Sequence, residues 1–192
     1  VRMDTAPLDR LHHRFPETLS SSFSERHDSA TADFQTAGRG QAGNSWESEA
    51  GKNLLFGLLF HPREVEANRQ FILSQAMALS VCETLSGYAK DICVKWPNDI
   101  YWKDRKICGM LIENTLIGRC IENCIIGAGI NINQQTFCSD APNPVSLDKS
   151  TGKEEEPVFI LADIIKRFKG LLPEIQQGRT EDIARSYREQ LY

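Results

Sequence analysis

One stretch of the chain, KWPNDIYWKDRKICGMLIEN at residues 95–114, constrains the fold more than any other. It contains a Trp-Pro-Asn turn signal, a short apolar run, a polar tip and a second apolar run. Proline fixes its own φ and asparagine tolerates turn geometry, so the pattern predicts a β-hairpin. Such a hairpin brings Lys95, Asp99, Lys106 and Gly109 near one another. These residues suit a site that holds an anion while a carboxylate orients a second group. From spacing alone, an ordinary charged hairpin is the alternative.

A second stretch, FQTAGRGQAGNSW, combines a glycine-rich loop with an arginine and a tryptophan. Gly38, Gly40 and Gly43 permit positive φ and can present backbone N–H groups to an anion. Arg39 adds a fixed positive charge and a planar fork of donors. No helical pattern opens after this loop, so it is not a dinucleotide-binding fingerprint. A mobile surface loop is the alternative interpretation.

A third stretch, CIENCIIGAGININ at residues 120–133, predicts a strand over residues 124–126. Gly127 and Gly129 bring the backbone close to either a neighbouring strand or a ligand. The apolar run at residues 53–60 predicts a central strand buried on both faces. Helical periodicity predicts three helices, at residues 71–87, after Pro157, and after Thr180.

Length and composition limit the classes of protein that fit. A chain of 192 residues is most simply one domain with a buried core. A net charge of −4 argues against a general nucleic-acid binder. No apolar run reaches the length of a membrane span and no signal-peptide pattern opens the chain, so we expect no membrane partner. The six cysteines are dispersed, and Cys120 and Cys124 lack a second ligand pair, which indicates a reduced, cytoplasmic protein.

Taken together, the three stretches resemble the biotin protein ligases. The family patterns Lys-Trp-Pro-Asn-Asp and Arg-Lys-x-x-Gly-x-Leu-x-Glu are matched at residues 95–99 and 105–113. The pattern Gly-Arg-Gly-x-x-Gly-x-x-Trp is matched at residues 38–46, and Ile-Gly-x-Gly-Ile-Asn-x-Asn at residues 126–133. The resemblance runs from about residue 32 to residue 133, and more weakly to the last residue.

The resemblance implies an α/β (α+β) fold. It consists of a mixed β-sheet with flanking helices, the class II aminoacyl-tRNA-synthetase-like catalytic domain shared by biotin and lipoate ligases. We expect a single catalytic domain over residues 1–192. We do not expect the small SH3-like domain or the N-terminal DNA-binding helix-turn-helix that family members can carry.

The resemblance also implies the reaction and its substrates. The family activates biotin with ATP and Mg²⁺ to give biotinyl-5′-AMP, then biotinylates a lysine of a biotin carboxyl carrier domain. The implied catalytic residues are Lys106, Arg39 and Asp99. The implied biotin contacts are Thr5, Gln35, Gly38, Arg39, Lys106 and Gly109. The implied nucleotide contacts are Arg39, Gly40, Trp46, Asn98, Lys106 and Asn131. No metal ligand is assigned, and a homodimer is one oligomeric state left open.

The chain departs from the family pattern in two places. Where the family carries Ser-Thr-Asn around the biotin ureido ring, the nearest counterpart is Thr5-Ala6-Pro7. Where further arginines often follow Gly-Arg-Gly, this chain has Gln41 and Ala42, which predicts a weaker grip on the adenylate phosphate. Two other functions stay open: a lipoate or octanoate ligase-transferase on the same fold, and a non-catalytic protein that binds biotin or its adenylate.

Overall fold

A computed structural model describes residues 27–32, 38–39, 45–139 and 141–192 of the chain. The strands in this part are β1 (His27–Ala32), β2 (Gly38–Arg39), β3 (Ser45–Trp46), β4 (Leu54–Phe60), β5 (Ile92–Lys95), β6 (Asp99–Trp102), β7 (Arg105–Ile117) and β8 (Cys120–Ile130). The α-helices are α1 (Phe71–Ser86), α2 (Leu147–Thr151), α3 (Pro157–Gln176) and α4 (Glu181–Glu189), and a 3₁₀ turn covers Ala67–Arg69. In the described part no helix is long and apolar enough to cross a membrane.

Six strands form one sheet in the order β1-β4-β8-β7-β6-β5, and β2 pairs with β3 separately. Every pair of neighbouring strands is antiparallel. The predicted α/β class, a sheet with flanking helices, is confirmed. The predicted sheet is mixed. Among the described residues, its parallel pairing is limited to two single-residue bridges, Val94 with Leu191 and Lys106 with Pro144.

The hydrophobic core lies between the sheet and the long helices. Strand β4, predicted as a central strand, lies inside the sheet between β1 and β8, and nearly all its side chains are buried. Helix α1 packs on the sheet and is itself covered by α3 and α4, so Leu73 and Met77 are fully buried. Phe60 of β4 meets Phe168 of α3 edge to face at 5.5 Å between ring centroids, which ties the outer helix to the central strand.

The predicted hairpin is confirmed as β6 and β7, with β5 leading into it. Strand β7 runs further than the residue pattern indicates and forms a second, longer hairpin with β8. The register of this second hairpin sets Gly109 directly opposite Gly129. This register therefore leaves a patch without side chains where β7 and β8 pair.

Candidate active site

The centre of the candidate site is an ion pair between the two strands of the first hairpin. The Lys106 ammonium donates a hydrogen bond to Asp99 Oδ2 at 2.6 Å. Both side chains keep about a third of their surface exposed, 31% for the lysine and 28% for the aspartate. An ammonium has three N–H donors, and this contact uses one of them. The pair can therefore remain joined while Lys106 also contacts an anion from solvent.

A flat apolar wall stands beside this pair. The indole of Trp46 covers the two facing glycines, and a Cβ would lie 2.8 Å from the ring at Gly109 and 2.5 Å from it at Gly129. Real Cβ contacts are not that short, so any larger residue at either position would displace the indole. Lys106 Nζ lies 5.9 Å from the centroid of the same ring. The backbone of Gly38 pairs with Trp46, so the strand that carries the Gly-Arg-Gly motif borders this wall.

Two hydrogen bonds fix the position of the turn that precedes Asp99. Asn98 is buried, with 3% of its surface exposed, and its Nδ2 donates to the Met110 carbonyl at 3.4 Å. The Tyr187 hydroxyl, from α4, donates to the Pro97 carbonyl at 2.6 Å. These two bonds attach the turn to β7 and to α4, and they fix where the carboxylate of Asp99 emerges. Asn98 thus has a structural contact in addition to its expected nucleotide contact.

Asn131 lies at the end of β8 and is 3% exposed. Its backbone N–H donates to the Ile107 carbonyl, and its Nδ2 donates to the Val145 carbonyl at 3.2 Å. The Val145 N–H in turn donates to the carbonyl of Lys106, so this segment joins Asn131 to β7. Within the described part of the chain, Asn131 Oδ1 and Trp46 Nε1 are buried polar atoms without a hydrogen-bond partner. Such atoms are rare in folded proteins, and both belong to predicted nucleotide contacts.

The structure brings Lys95, Asp99, Lys106 and Gly109 together, as the hairpin predicts. It places Trp46, an implied nucleotide contact, and Gly129 beside them. The predicted contacts Thr5, Gln35 and Gly40 lie outside the described residues, and so do Gln41 and Ala42. For Arg39 the structure describes the backbone alone, which pairs with Ser45 in β2 and β3.

Lys95 takes a different position from the other predicted cation of the hairpin. Its ammonium donates to the Tyr101 hydroxyl at 3.3 Å and lies 4.7 Å from the centroid of that ring. It therefore braces the hairpin through the aromatic ring of Tyr101. The neighbouring Trp96 is 69% exposed.

Thiols and metal ligands are other groups that could carry chemistry among the described residues. All six cysteines are free thiols. Burial raises the pKa of Cys108 well above its usual range, with a contribution from nearby Asp99, and burial raises the pKa of Cys124 to about 12. These thiols stay protonated at neutral pH and are poor nucleophiles. No group of three His, Cys, Asp or Glu side chains in the described ranges could hold a metal ion.

One connection to the site has no signal in the sequence. Glu47, the residue after Trp46, accepts a hydrogen bond from the side chain of Gln134, in the loop that follows β8. The side chain of Asn53 donates a hydrogen bond to the same glutamine. The partners are more than eighty residues apart and come from loops, where no periodicity announces them.

The site thus combines a cation and a carboxylate with an aromatic wall and a glycine floor. The chain belongs to the biotin/lipoate A/B protein ligase family, whose model matches residues 8–131. The predicted family resemblance is thus confirmed.

Individual relatives agree with this assignment. The chain is 30% identical over 175 residues to the bifunctional ligase/repressor BirA of Bacillus spizizenii, covering 82% of this chain and 53% of that protein. It is 31% identical over 148 residues to the biotin--[acetyl-CoA-carboxylase] ligase of Paracoccus denitrificans, covering 72% of this chain and 61% of that protein. The chain therefore spans roughly half to three fifths of the length of these curated relatives. The structure is also similar to the Aquifex aeolicus biotin protein ligase solved with biotin and ATP. There the TM-score is 0.76 and the identity 28%, over 91% of this chain and 73% of that one.

Proposed function

We propose that this domain activates biotin with ATP, forming biotinyl-5′-AMP, and transfers the biotinyl group to a lysine of a biotin carboxyl carrier domain. The observation that carries the proposal is the Lys106–Asp99 pair beside the wall formed by Trp46 over Gly109 and Gly129. The Bacillus ligase/repressor, the Paracoccus biotin ligase, and the biotin and ATP bound to the Aquifex enzyme support the same choice of substrates.

The first step must bring two anions together. A carboxylate oxygen of biotin attacks the α-phosphorus of ATP, an O–P bond forms, the bond to the β-phosphate breaks, and pyrophosphate leaves. The negative charges repel one another until a cation lies between them, and one placed donor typically lowers such a barrier by about 3–4 kcal/mol. Lys106 is that cation, since its ammonium is exposed at the wall and held at a fixed position by Asp99. Arg39 is the second candidate.

Mg²⁺ would arrive with the phosphates of ATP. This ion commonly binds through one or two protein carboxylates together with substrate phosphates and water. Asp99 is the carboxylate of the described site, and it is engaged by Lys106. The donor set fits an ion held mainly by the nucleotide.

The second step transfers the acyl group. The nitrogen of the acceptor lysine attacks the carbonyl carbon of the adenylate, a C–N bond forms, the C–O bond to the phosphate breaks, and AMP leaves. The attacking lysine is protonated near neutral pH because its unperturbed pKa is about 10.4. Asp99 is the carboxylate that can accept or orient this proton. Asp99 and Lys106 are bonded to each other, so we assign both half-reactions to one place in this domain. The free thiols agree with a reaction that takes place in the cytoplasm.

Exchange of labelled pyrophosphate into ATP tests the proposal, with biotin, lipoate and octanoate supplied in separate reactions. Exchange that depends on biotin supports it, and transfer to a carrier domain then checks the second step. Exchange with lipoate or octanoate but not with biotin would assign the chain to the other branch of the family. Biotin binding without any exchange would indicate a protein that binds biotin without activating it.

A further inference from the structure

Next to the candidate site, a set of hydrogen bonds joins residues 46–53 to residues 131–139. We call this set the junction, and its first member is Glu47. Its carboxylate accepts hydrogen bonds from the backbone N–H of Cys138 (2.9 and 3.1 Å to its two oxygens) and of Ser139 (2.7 Å). The Nε2 of Gln134 donates to the same carboxylate at 3.3 Å. Burial alone would raise the pKa of Glu47, but the hydrogen bonds from this loop outweigh burial and lower it. Glu47 directly follows Trp46, so the carboxylate anchors the segment that carries the indole.

Gln134 is the second member and is 1% exposed. Its Oε1 accepts hydrogen bonds from the Asn53 side chain and from the Glu49 backbone N–H, the latter at 3.0 Å. Asn53 Oδ1 in turn accepts the Ile132 N–H at 3.1 Å, so the two segments bond to each other in both directions. A buried side-chain amide that satisfies partners on two segments loses several bonds at once if the segments separate.

The junction joins the segment that carries Trp46 to the segment that carries Asn131. Residues 46–53 begin with Trp46, which covers the glycine floor, and residues 131–139 begin with Asn131, whose Oδ1 has no partner within the described part. We propose that Glu47 is a positioning residue for ligand binding. By bonding to the loop after β8, it makes the Trp46 wall and the segment of Asn131 move as one unit. The part of this proposal that concerns catalysis depends on the function proposed above.

The geometry distinguishes this role from a catalytic one. The Glu47 oxygens face the N–H groups of residues 138 and 139, and Asp99 is the carboxylate that contacts Lys106. Glu47 therefore acts through Trp46 and has no role in proton transfer. Loss of Glu47 should weaken ligand binding in the ground state and the transition state equally. Such a change raises KM and leaves kcat nearly unchanged.

The first test needs no activity. Amide hydrogen exchange is measured on wild type, Glu47→Ala, Glu47→Gln and, as a matched control, Glu49→Ala. Glu49 is an exposed carboxylate two residues away that joins the junction through its backbone N–H. Hydrogen bonds to a charged acceptor are worth roughly 1.5–3 kcal/mol, so Glu47→Ala should speed exchange in residues 138–139 and 45–49 by about one to two orders of magnitude. Glu47→Gln keeps an acceptor oxygen and should lie between wild type and alanine.

The second test measures biotin-dependent pyrophosphate exchange for the same variants. Glu47→Ala should raise KM for biotin and ATP about tenfold, with kcat within about twofold of wild type, and Glu47→Gln should recover most of the loss. Glu49→Ala should match wild type in both tests. Equal amide exchange in Glu47→Ala and Glu49→Ala would overturn the junction itself. Faster amide exchange with unchanged KM would overturn its role in ligand binding. If wild type shows no biotin-dependent reaction, the proposed function fails, whereas the amide-exchange result still decides the junction.

Discussion

Replacement of Lys106 by alanine should greatly slow adenylate formation while hardly changing the free energy of unfolding. The ion pair with Asp99 is short, at 2.6 Å, but each side chain is close to a third exposed. Pairs this accessible to solvent contribute about 0–1 kcal/mol to folding. A cation placed between two reacting anions is worth about 3–4 kcal/mol of barrier, and each 1.36 kcal/mol changes the rate tenfold. Lys106→Ala should therefore unfold at nearly the wild-type temperature, while adenylate formation falls about 10²- to 10³-fold.

The assay is pyrophosphate exchange at saturating biotin and ATP, with thermal unfolding of the same preparations. Lys103→Ala is the matched control, because its ammonium lies on the same hairpin, over the Trp102 ring at 4.8 Å. Asp99→Ala, tested with preformed biotinyl-AMP and a carrier domain, should slow transfer at least as much as it slows exchange. Asp99 also anchors Lys106, so both steps should suffer. Wild-type exchange in Lys106→Ala would refute the role of this lysine. A loss of stability of several kcal/mol would refute the reasoning from exposure.

Three further changes test other parts of the site. Gly129→Ala should impair biotin-dependent exchange by about tenfold or more, because its Cβ would lie 2.5 Å from the Trp46 ring. Gly170→Ala, on an open helix surface, is the control and should leave exchange unchanged. It should also stabilise the fold by about 0.5–1 kcal/mol, measured by thermal unfolding. Tyr187→Phe removes the 2.6 Å hydrogen bond to the Pro97 carbonyl in the turn before Asp99. It should cost about 1 kcal/mol in urea unfolding, with a smaller effect on exchange at saturating substrates. Gln41→Arg should slow escape of biotinyl-AMP, measured by trapping the released intermediate, because a charged donor to phosphate is roughly twice as strong as a neutral one; equal release rates would mean that charge at this position does not control retention.

The secondary structure was largely predictable because its signals are local. The apolar run of β4, the Trp-Pro-Asn turn and the helical periodicity of α1 and α3 each depend on a few adjacent residues. The extent of β7 and β8 was not predictable, because the outer half of that hairpin is more exposed and lacks a continuous apolar pattern. Strand direction across the sheet is a property of the whole chain and leaves no mark on a single strand.

In the candidate site, too, the contacts within one hairpin could be predicted from the sequence and the contacts between distant segments could not. The closeness of Asp99 and Lys106 followed from the hairpin alone. The sequence also indicated that backbone comes close to something at Gly129, but it left a strand and a ligand as alternatives. The occupant is the indole of Trp46, which lies over Gly129 and over its register partner Gly109. Trp46 is distant from both glycines in the chain, so no residue beside either glycine indicates this contact.

The pairing of Lys106 with Asp99 affects how the two half-reactions can share one site. An unpaired ammonium beside an apolar wall would be partly desolvated, and the carboxylate offsets that cost when no substrate is bound. Binding of the α-phosphate would give Lys106 a second anionic partner beside Asp99, because an ammonium has three N–H donors and the ion pair uses one of them. In the function proposed above, one ammonium group therefore meets the anions of the first step while it holds in place the carboxylate assigned to the second.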